Sequence, residues 1–451
     1  MTNSNWISKW MEPQDSSPLV AWRIVFGLLI FLEGAGAIAT GWVRRTLVEP
    51  DFTFSFLDFP WLQPLPGYGM YYYFGVMALF GLGVMLGYRY RIAIAGYTIL
   101  WAGAYFMQKS HYNNHYYLLL LLLILMNLVP AHRSFSLDVQ QGRVSKSLTC
   151  PKWCTGIFVA ELAIVFFYAA VAKMYPDWLA GRPVEIWMSR RADWPIIGPI
   201  LSSEFGKWSL VYGGLFYDLL VIPMLLWRPT RVFASLLSVF FHGFNSAVFH
   251  IGIFPYLMMG ALVLFYPPNA VRKRFFPKRP EADLSLVEHP RKMPMVLSSF
   301  IAVWIMFQIA LPLRHWLIEG DVHWTEEGHR LSWHMMTRSK SGRASFTVKN
   351  PDTGIVVRIR NSNYLTDDQQ RAMATRPDCI WQYAQVLEAA WQDSGWAKVE
   401  VYTSSYASLN GRKMQRFIDP KVNLAAEEWV WFGHKDWVMP LLEDQEAFPD
   451  Q

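Results

Sequence analysis

Charge and cysteine are scarce in this chain of 451 residues. Asp, Glu, Lys and Arg make up 17% of it, against 53% hydrophobic residues. Long apolar runs recur through the first two thirds, which excludes one large soluble core and points to several helical membrane spans. There are three cysteines, Cys150, Cys154 and Cys379. The first two form the CxxxC of "TCPKWC". No second pair or nearby histidine follows, so the usual zinc patterns are excluded and a disulfide framework has no support. The N-terminal "MTNSNWISKWMEPQDSSP" lacks a basic region leading into a short apolar stretch with a small-residue cleavage site. The first apolar span is therefore expected to remain as an anchor. RNP-like, zinc-finger and helix-turn-helix patterns are missing, so the net charge of +6 speaks of loop topology and not of nucleic acid. Long internal repeats are missing too.

What is present is aromatic and apolar: 22 Trp, 21 Tyr and 30 Phe. A bilayer crossing needs about 20 apolar residues. About nine spans are expected on that basis: Leu19–Thr40, Tyr68–Leu86, Ile92–Met107, Tyr116–Val129, Thr155–Ala172, Leu210–Leu226, Val232–Phe249, Ile251–Tyr266 and Met295–Leu311. With nine spans, the N-terminus and the even-numbered loops carry 16 Lys and Arg, and the odd loops carry 7 besides Lys173. The positive-inside rule then puts the N-terminus in the cytoplasm and the C-terminal portion outside, in a periplasm or lumen.

After Leu311 the pattern changes. "ASFTVKN" and "GIVVRIRNS" alternate like strands around the turn "PDTG". "RPDCIWQYAQVLEAAWQDSG" has helical spacing and a terminal Gly. "AKVEVYTSS" and "RKMQRFID" read as further strands. The expected fold class is a polytopic α-helical membrane protein, residues 1–312, with a small extramembrane α+β domain, residues 313–451.

Ionisable residues inside spans are costly and usually functional. On the nine-span topology, His115, Lys173, His242 with Asn245, His250 and Glu33 all fall in the outer leaflet. Their shared depth suggests a polar pocket that opens outward. Each has an ordinary alternative. Lys173, at the end of "FFYAAVAK", is either a snorkelling anchor or a base at the membrane edge. His115 is either an interfacial histidine beside the tyrosines or a pocket residue. His242 and Asn245, three apart in "FHGFNS", share a helix face and suit a helix–helix hydrogen bond. Glu161 and Asp218 lie deeper and suit pairing with other polar groups. His111 and His115 are four apart, but a third ligand is missing, so no metal is expected. A lysine is a base only when neutral, and an apolar pocket favours that form. A phenolic proton, with a pKa of about 10, is a matched target. His115 and Asn114 can then hydrogen-bond a quinone or phenolate oxygen. The residues thus point to an enzyme acting on a lipid-soluble phenol or quinone.

Five ordered segments carry a resemblance: "YNNHYYL" (112–118), "AAVAKMYPDW" (169–178), "FFHGFNSAVFHIGIFPYLM" (240–258), "LPLRHWL" (311–317) and "RKMQRFIDPKVNL" (412–424) with "WVMPLL" (437–442). Together they resemble the vitamin K-dependent gamma-glutamyl carboxylase family, within the horizontally transferred transmembrane domain proteins. The resemblance implies oxidation of vitamin K hydroquinone, or menaquinol, by O2 to the epoxide. It also implies addition of CO2 to a glutamate of a protein or peptide substrate. The quinol, O2 and CO2 are co-substrates, and neither a metal nor a tightly bound organic cofactor is implied. By the same resemblance Lys173 matches the base that deprotonates the hydroquinone, and His115 the histidine that assists it. Tyr112, Asn113, Asn114 and Arg190 fall at the quinone pocket, and His242 and Asn245 match an architectural "FH-x-x-N" pattern.

Animal carboxylases continue well past the equivalent of "WVMPLL", and that extension helps to hold the propeptide of their substrates. The resemblance therefore carries the quinol chemistry further than it carries propeptide-guided carboxylation. A short member of this kind looks like a bacterial homologue of the inner membrane. Two other functions remain open on the sequence: a quinone epoxidase without carboxylation, and a non-catalytic carrier of quinone or lipid.

Overall fold

The structure, a computed structural model, describes residues 5–56, 59, 61–249, 251–285 and 293–442. His250, one of the expected pocket residues, lies outside the described residues. The apolar runs form helices α1 (Ser17–Ala39), α2 (Gly69–Leu86), α3 (Tyr90–Met107), α4 (Asn114–Leu128) and α5 (Trp153–Ala172). An amphipathic helix, α6 (Arg182–Ser189), follows. Then come α7 (Glu204–Leu226), α8 (Arg231–Phe249), α9 (Phe254–Ala261) and α10 (Met295–Leu313).

The expected count of nine spans is not confirmed. Among the described residues, six helices are long and apolar enough to cross a bilayer: α1, α2, α5, α7, α8 and α10 with the turn that extends it to Leu317. The other three have physical reasons to differ. Helix α4 has 15 residues, about 22 Å of helix against a hydrocarbon core of about 30 Å. Its Leu118–Leu123 run is buried inside the bundle, so it meets protein where a span meets lipid. Helix α9 is shorter still and continues as a 3₁₀ turn to Phe265. Helix α3 mixes Tyr90, Arg91, Tyr97, Thr98 and Tyr105 into its apolar run, "YRIAIAGYTILWAGAYFM".

Helices α1 and α2 pack closely. A Cβ on Gly81 would lie 2.7 Å from the Phe31 backbone nitrogen, and one on Gly27 would collide with the Met85 backbone. Small residues at such crossings let helix backbones approach where apolar burial gives no advantage over lipid.

The C-terminal region builds a four-stranded antiparallel sheet. Its strands are β1 (Lys340–Lys349), β2 (Val356–Ile359), β3 (Glu400–Leu409) and β4 (Gln415–Ile418), in the order β2-β1-β3-β4. Strands β1 and β2 pair from Phe346 opposite Ile359 to Lys349 opposite Val356. Asn350 Oδ1 closes their turn by accepting from the Asp352 and Thr353 amides at 2.9 and 3.2 Å. Helix α11 (Pro377–Asp393) covers one face of the sheet. Its Cys379, Ile380, Tyr383, Ala384 and Leu387 are fully buried, a spacing that turns one helical stripe inward. They share a core with Phe346, Val348, Val401 and Phe417.

Two buried ion-pair groups dock this domain on the membrane region. Asp378, in the first turn of α11, accepts from Arg330 Nη1 at 2.6 Å and lies 3.0 Å from Lys109 Nζ. Asp177 accepts from Arg412 Nη2 at 2.8 Å and Asn410 Nδ2 at 2.8 Å. Burial opposes the Asp378 charge, but Arg330 and Lys109 outweigh it and hold its carboxyl well below the usual carboxylate range.

Candidate functional site

Helix α5 ends at Ala172, and Lys173 is its C-cap. The side chain does not reach out to headgroups. It is 6% exposed, and Nζ lies 2.5 Å from Asp218 Oδ2 on α7 and 5.5 Å from the centre of the Trp178 ring. Of the two readings left open for Lys173, the anchor is excluded. The deep Asp218 has found its partner: the neighbouring helices α5 and α7 bring the two groups together across 45 positions of sequence.

Both line a cavity of about 580 Å³. His115, Tyr217, His242, Asn245 and Phe254 share its wall, and the rest is largely aromatic and aliphatic, including Phe166, Leu237 and Phe241. The His115 ring stacks on Phe254 with centroids 4.5 Å apart, and its Nδ1 is buried without a hydrogen-bond partner. Tyr217 Oη lies 3.0 Å from His242 Nε2, and His242 Nδ1 is likewise without a partner. A mostly apolar cavity thus holds one short contact between Lys173 and Asp218 and two imidazole nitrogens without a hydrogen-bond partner. Such orphaned polar atoms are costly unless something polar arrives to meet them. An aromatic ring carrying two oxygens supplies both the apolar faces and the polar edges.

Other expected residues lie elsewhere. Asn113 caps α4 by accepting from the Tyr116 amide at 2.8 Å. Asn114 Nδ2 donates to the His334 carbonyl at 3.2 Å, and its Oδ1 accepts from Tyr112 Oη at 2.9 Å. Tyr112 Oη in turn accepts from the Leu331 amide at 2.8 Å. These three residues are therefore occupied in holding the start of α4 and a loop of the C-terminal region, and they do not line the cavity. Arg190 is exposed at the end of α6. Its neighbour Arg191 points inward and donates to the Val248 carbonyl at 3.0 and 2.7 Å. Glu33 faces away from the cavity wall and is hydrogen-bonded to Tyr116. His111 sits 3.1 Å from Ser110 Oγ and edge-on to Trp42. Glu161 accepts from Trp304 Nε1 at 2.8 Å. Among the described residues, no group of three or more His, Cys, Asp or Glu is placed to hold a metal ion.

Two wall residues have no sequence signature: Met335 and Met336. They belong to the loop that Tyr112 and Asn114 hold. Leu331, Trp333 and Met336 in this loop have φ of 61°, 60° and 53°, a left-handed conformation that non-glycine residues rarely adopt. Trp333 is fully buried with its ring 5.0 Å from Tyr117. Packing of this kind over-determines a strained segment, and here it sets Met335 and Met336 in the cavity wall.

Behind the loop, four histidines pack together. The rings of His323 and His334 have centroids 4.9 Å apart, those of His329 and His334 5.3 Å, and those of His315 and His334 4.8 Å. Burial first, then neighbouring positive charge, holds His323 and His329 well below their ordinary range and brings His334 down to about 3. The folded protein thus refuses protons that the unfolded chain takes up below pH of about 6.5. Stability is lost as pH falls from there, with a slope approaching about 1.4 kcal/mol per pH unit for each such histidine. We expect the melting temperature in detergent to drop steeply between pH 6.5 and 4.5, and replacement of His329 and His334 by Phe and Gln to flatten that drop. An unchanged pH profile in the double variant would contradict the assignment.

Two family models match successive parts of the chain, and the boundary between them falls before α10. The HTTM domain matches residues 11–269. The vitamin K-dependent gamma-carboxylase lumenal domain matches residues 293–444. No solved structure matches the chain.

Proposed function

We propose, from the premise that the chain belongs to the vitamin K-dependent gamma-carboxylase family, that it oxidises a reduced naphthoquinone with O2 and couples this to carboxylation of a protein glutamate. The quinol and O2 give the quinone epoxide and water. The γ-carbon of the glutamate loses a proton and gains CO2. The observation that carries this reading is the Lys173–Asp218 contact in an apolar cavity that also presents His115.

An ammonium ion accepts no proton, so the base must be made in place. Burying a separated ammonium and carboxylate is expensive. With a contact of 2.5 Å, moving one proton from Lys173 Nζ to Asp218 Oδ2 removes both charges and leaves a free amine. That amine takes the phenolic proton of the quinol. His115, fixed against Phe254, directs an imidazole nitrogen at the oxygen that becomes negative, and the Tyr217–His242 pair polarises the opposite wall. Met335 and Met336 add apolar wall beside the reacting ring, and apolar surroundings strengthen each of these interactions. The glutamate comes from the C-terminal side, where the loop meets the domain. In this reading the C-terminal domain lies outside, on the periplasmic face of a bacterial inner membrane.

The test is direct. Purified protein is given reduced naphthoquinone, O2, labelled bicarbonate and a Glu-containing peptide, and both products are followed by mass spectrometry. Epoxide together with labelled peptide is the expected result. Epoxide alone reduces the function to epoxidation, and recovery of unchanged quinol overturns it. A second experiment probes the cavity. Gly213 lines it, and a Cβ there would meet nothing within 4 Å. We expect Gly213→Phe to fold normally and to raise the KM for quinol at least about tenfold, or about 1.4 kcal/mol, with Gly213→Ala close to the parent. An unchanged KM would place the quinol elsewhere.

A further inference from the structure

The last span ends in the turn Arg314–Leu317, where Trp316 and Leu317 are 61% and 88% exposed. A second exposed apolar group comes from far along the chain, in "WVWFG". Val430 and Trp431 are each 47% exposed, and Phe432 is 81% exposed. Among the described residues these side chains keep about half or more of their surface open.

The fold holds this second group beside the first. Glu327, ten residues beyond Leu317, lies 2.8 Å from His434 Nδ1 and accepts from the Lys435 amide at 2.9 Å. A Cβ on Gly320 would lie 4.0 Å from His434 Cε1. Gly320 is three residues past the end of the span, a reach on the order of 10 Å. The tip Val430–Phe432 is thus fastened, by its C-terminal side, to the segment that leaves the membrane. Gly433, with φ of 128°, provides the bend that turns the tip outward.

Position and composition agree. Aromatic side chains with apolar bodies collect at the boundary between headgroups and acyl chains. The surface of α10 that leads up to this point is itself mostly exposed and apolar, with Val303, Met306 and Phe307 facing outward. The tip extends that lipid-facing surface onto the C-terminal domain.

We propose that Val430, Trp431 and Phe432, with Trp316 and Leu317, form an interfacial anchor that inserts into the headgroup–acyl boundary of the same membrane that α10 crosses. The partner is lipid. The anchor is independent of the quinol chemistry. It fixes the C-terminal domain at a second point, and through Glu327 it bears on the segment that runs to the Met335–Met336 wall of the cavity.

The experiment places an environment-sensitive nitrobenzoxadiazole label at Phe432→Cys in the full-length protein, reconstituted into phosphatidylcholine vesicles. Trp431→Cys is labelled in parallel, in case one variant folds poorly. Cys150, Cys154 and Cys379 are free and buried, so the labelled parent supplies the background. The expected result is blue-shifted emission, loss of most of it when lipid spin-labelled near the headgroup is included, and protection from aqueous iodide. Emission quenched by iodide and untouched by spin-labelled lipid overturns the proposal. Protection from both quenchers also overturns it, because the tip is then covered by protein.

Discussion

Replacing Lys173 by Ala is expected to lower epoxide formation by about 10²–10⁴-fold, the range a positioned general base supplies, with the protein still folded. Lys173→Arg is the sharper variant. A guanidinium supplies the positive charge of an ion pair with Asp218, yet it does not give up a proton in proteins. An anchor or a purely structural ion pair would tolerate this change. A base would not. We therefore expect Lys173→Arg to melt within a few degrees of the parent and to be as inactive as Lys173→Ala. Parent-like epoxide formation by the arginine variant would remove the base from the reaction and leave Lys173 as a packing residue.

The largest expected effect on stability is at Asp378. Its buried carboxylate is shared by Arg330 and Lys109. Asp378→Asn keeps the shape and leaves two buried cations without their counter-charge, a loss of about 3–5 kcal/mol. Because the folded carboxyl titrates far below its unfolded value of about 3.9, its contribution is complete above about pH 4 and fades only as pH falls through the depressed value. The deficit of Asp378→Asn, read as a melting-temperature difference in detergent, should thus be constant from pH 5 to pH 8. This separates it from the histidine cluster, whose effect grows across the same window. A deficit that vanished at pH 5 would contradict the pairing.

Much of the fold is legible because its signals are local. The strands around "PDTG", the stripe of α11 and the long apolar runs follow from period and turn chemistry, and each forms where expected. The span count is less legible, since hydropathy records that a helix is buried but not whether lipid or protein buries it. The polyleucine of α4 reads as a lipid-facing crossing, and the structure shows a helix of 15 residues with its leucines packed inside the bundle.

The site divides along the same line. His115, Lys173, His242 and Asn245 share a leaflet in the sequence reading and share a cavity in the structure. Asp218 is visible as a charge in a span, but its pairing with Lys173 depends on how α5 packs on α7. Tyr112, Asn113 and Asn114 stand beside His115 in sequence, yet their groups are committed to a cap and to the loop at 331–334. Arg190 and Arg191 differ by one position, and one helical step of about 100° decides which of them turns inward. The methionine wall gives no signal at all, because left-handed φ at Leu331, Trp333 and Met336 is imposed by packing and carries no glycine to mark it.

The state of one proton separates a base from an ion pair. Infrared difference spectroscopy of the resting protein against Asp218→Asn reads that proton, since a protonated carboxyl has a carbonyl stretch that an ionised carboxylate lacks. The difference should contain the carboxylic acid band of Asp218, with the paired amine of Lys173 uncharged. A difference that contains only carboxylate bands would contradict it, leaving Lys173 an ammonium ion with no capacity to take a proton from the quinol.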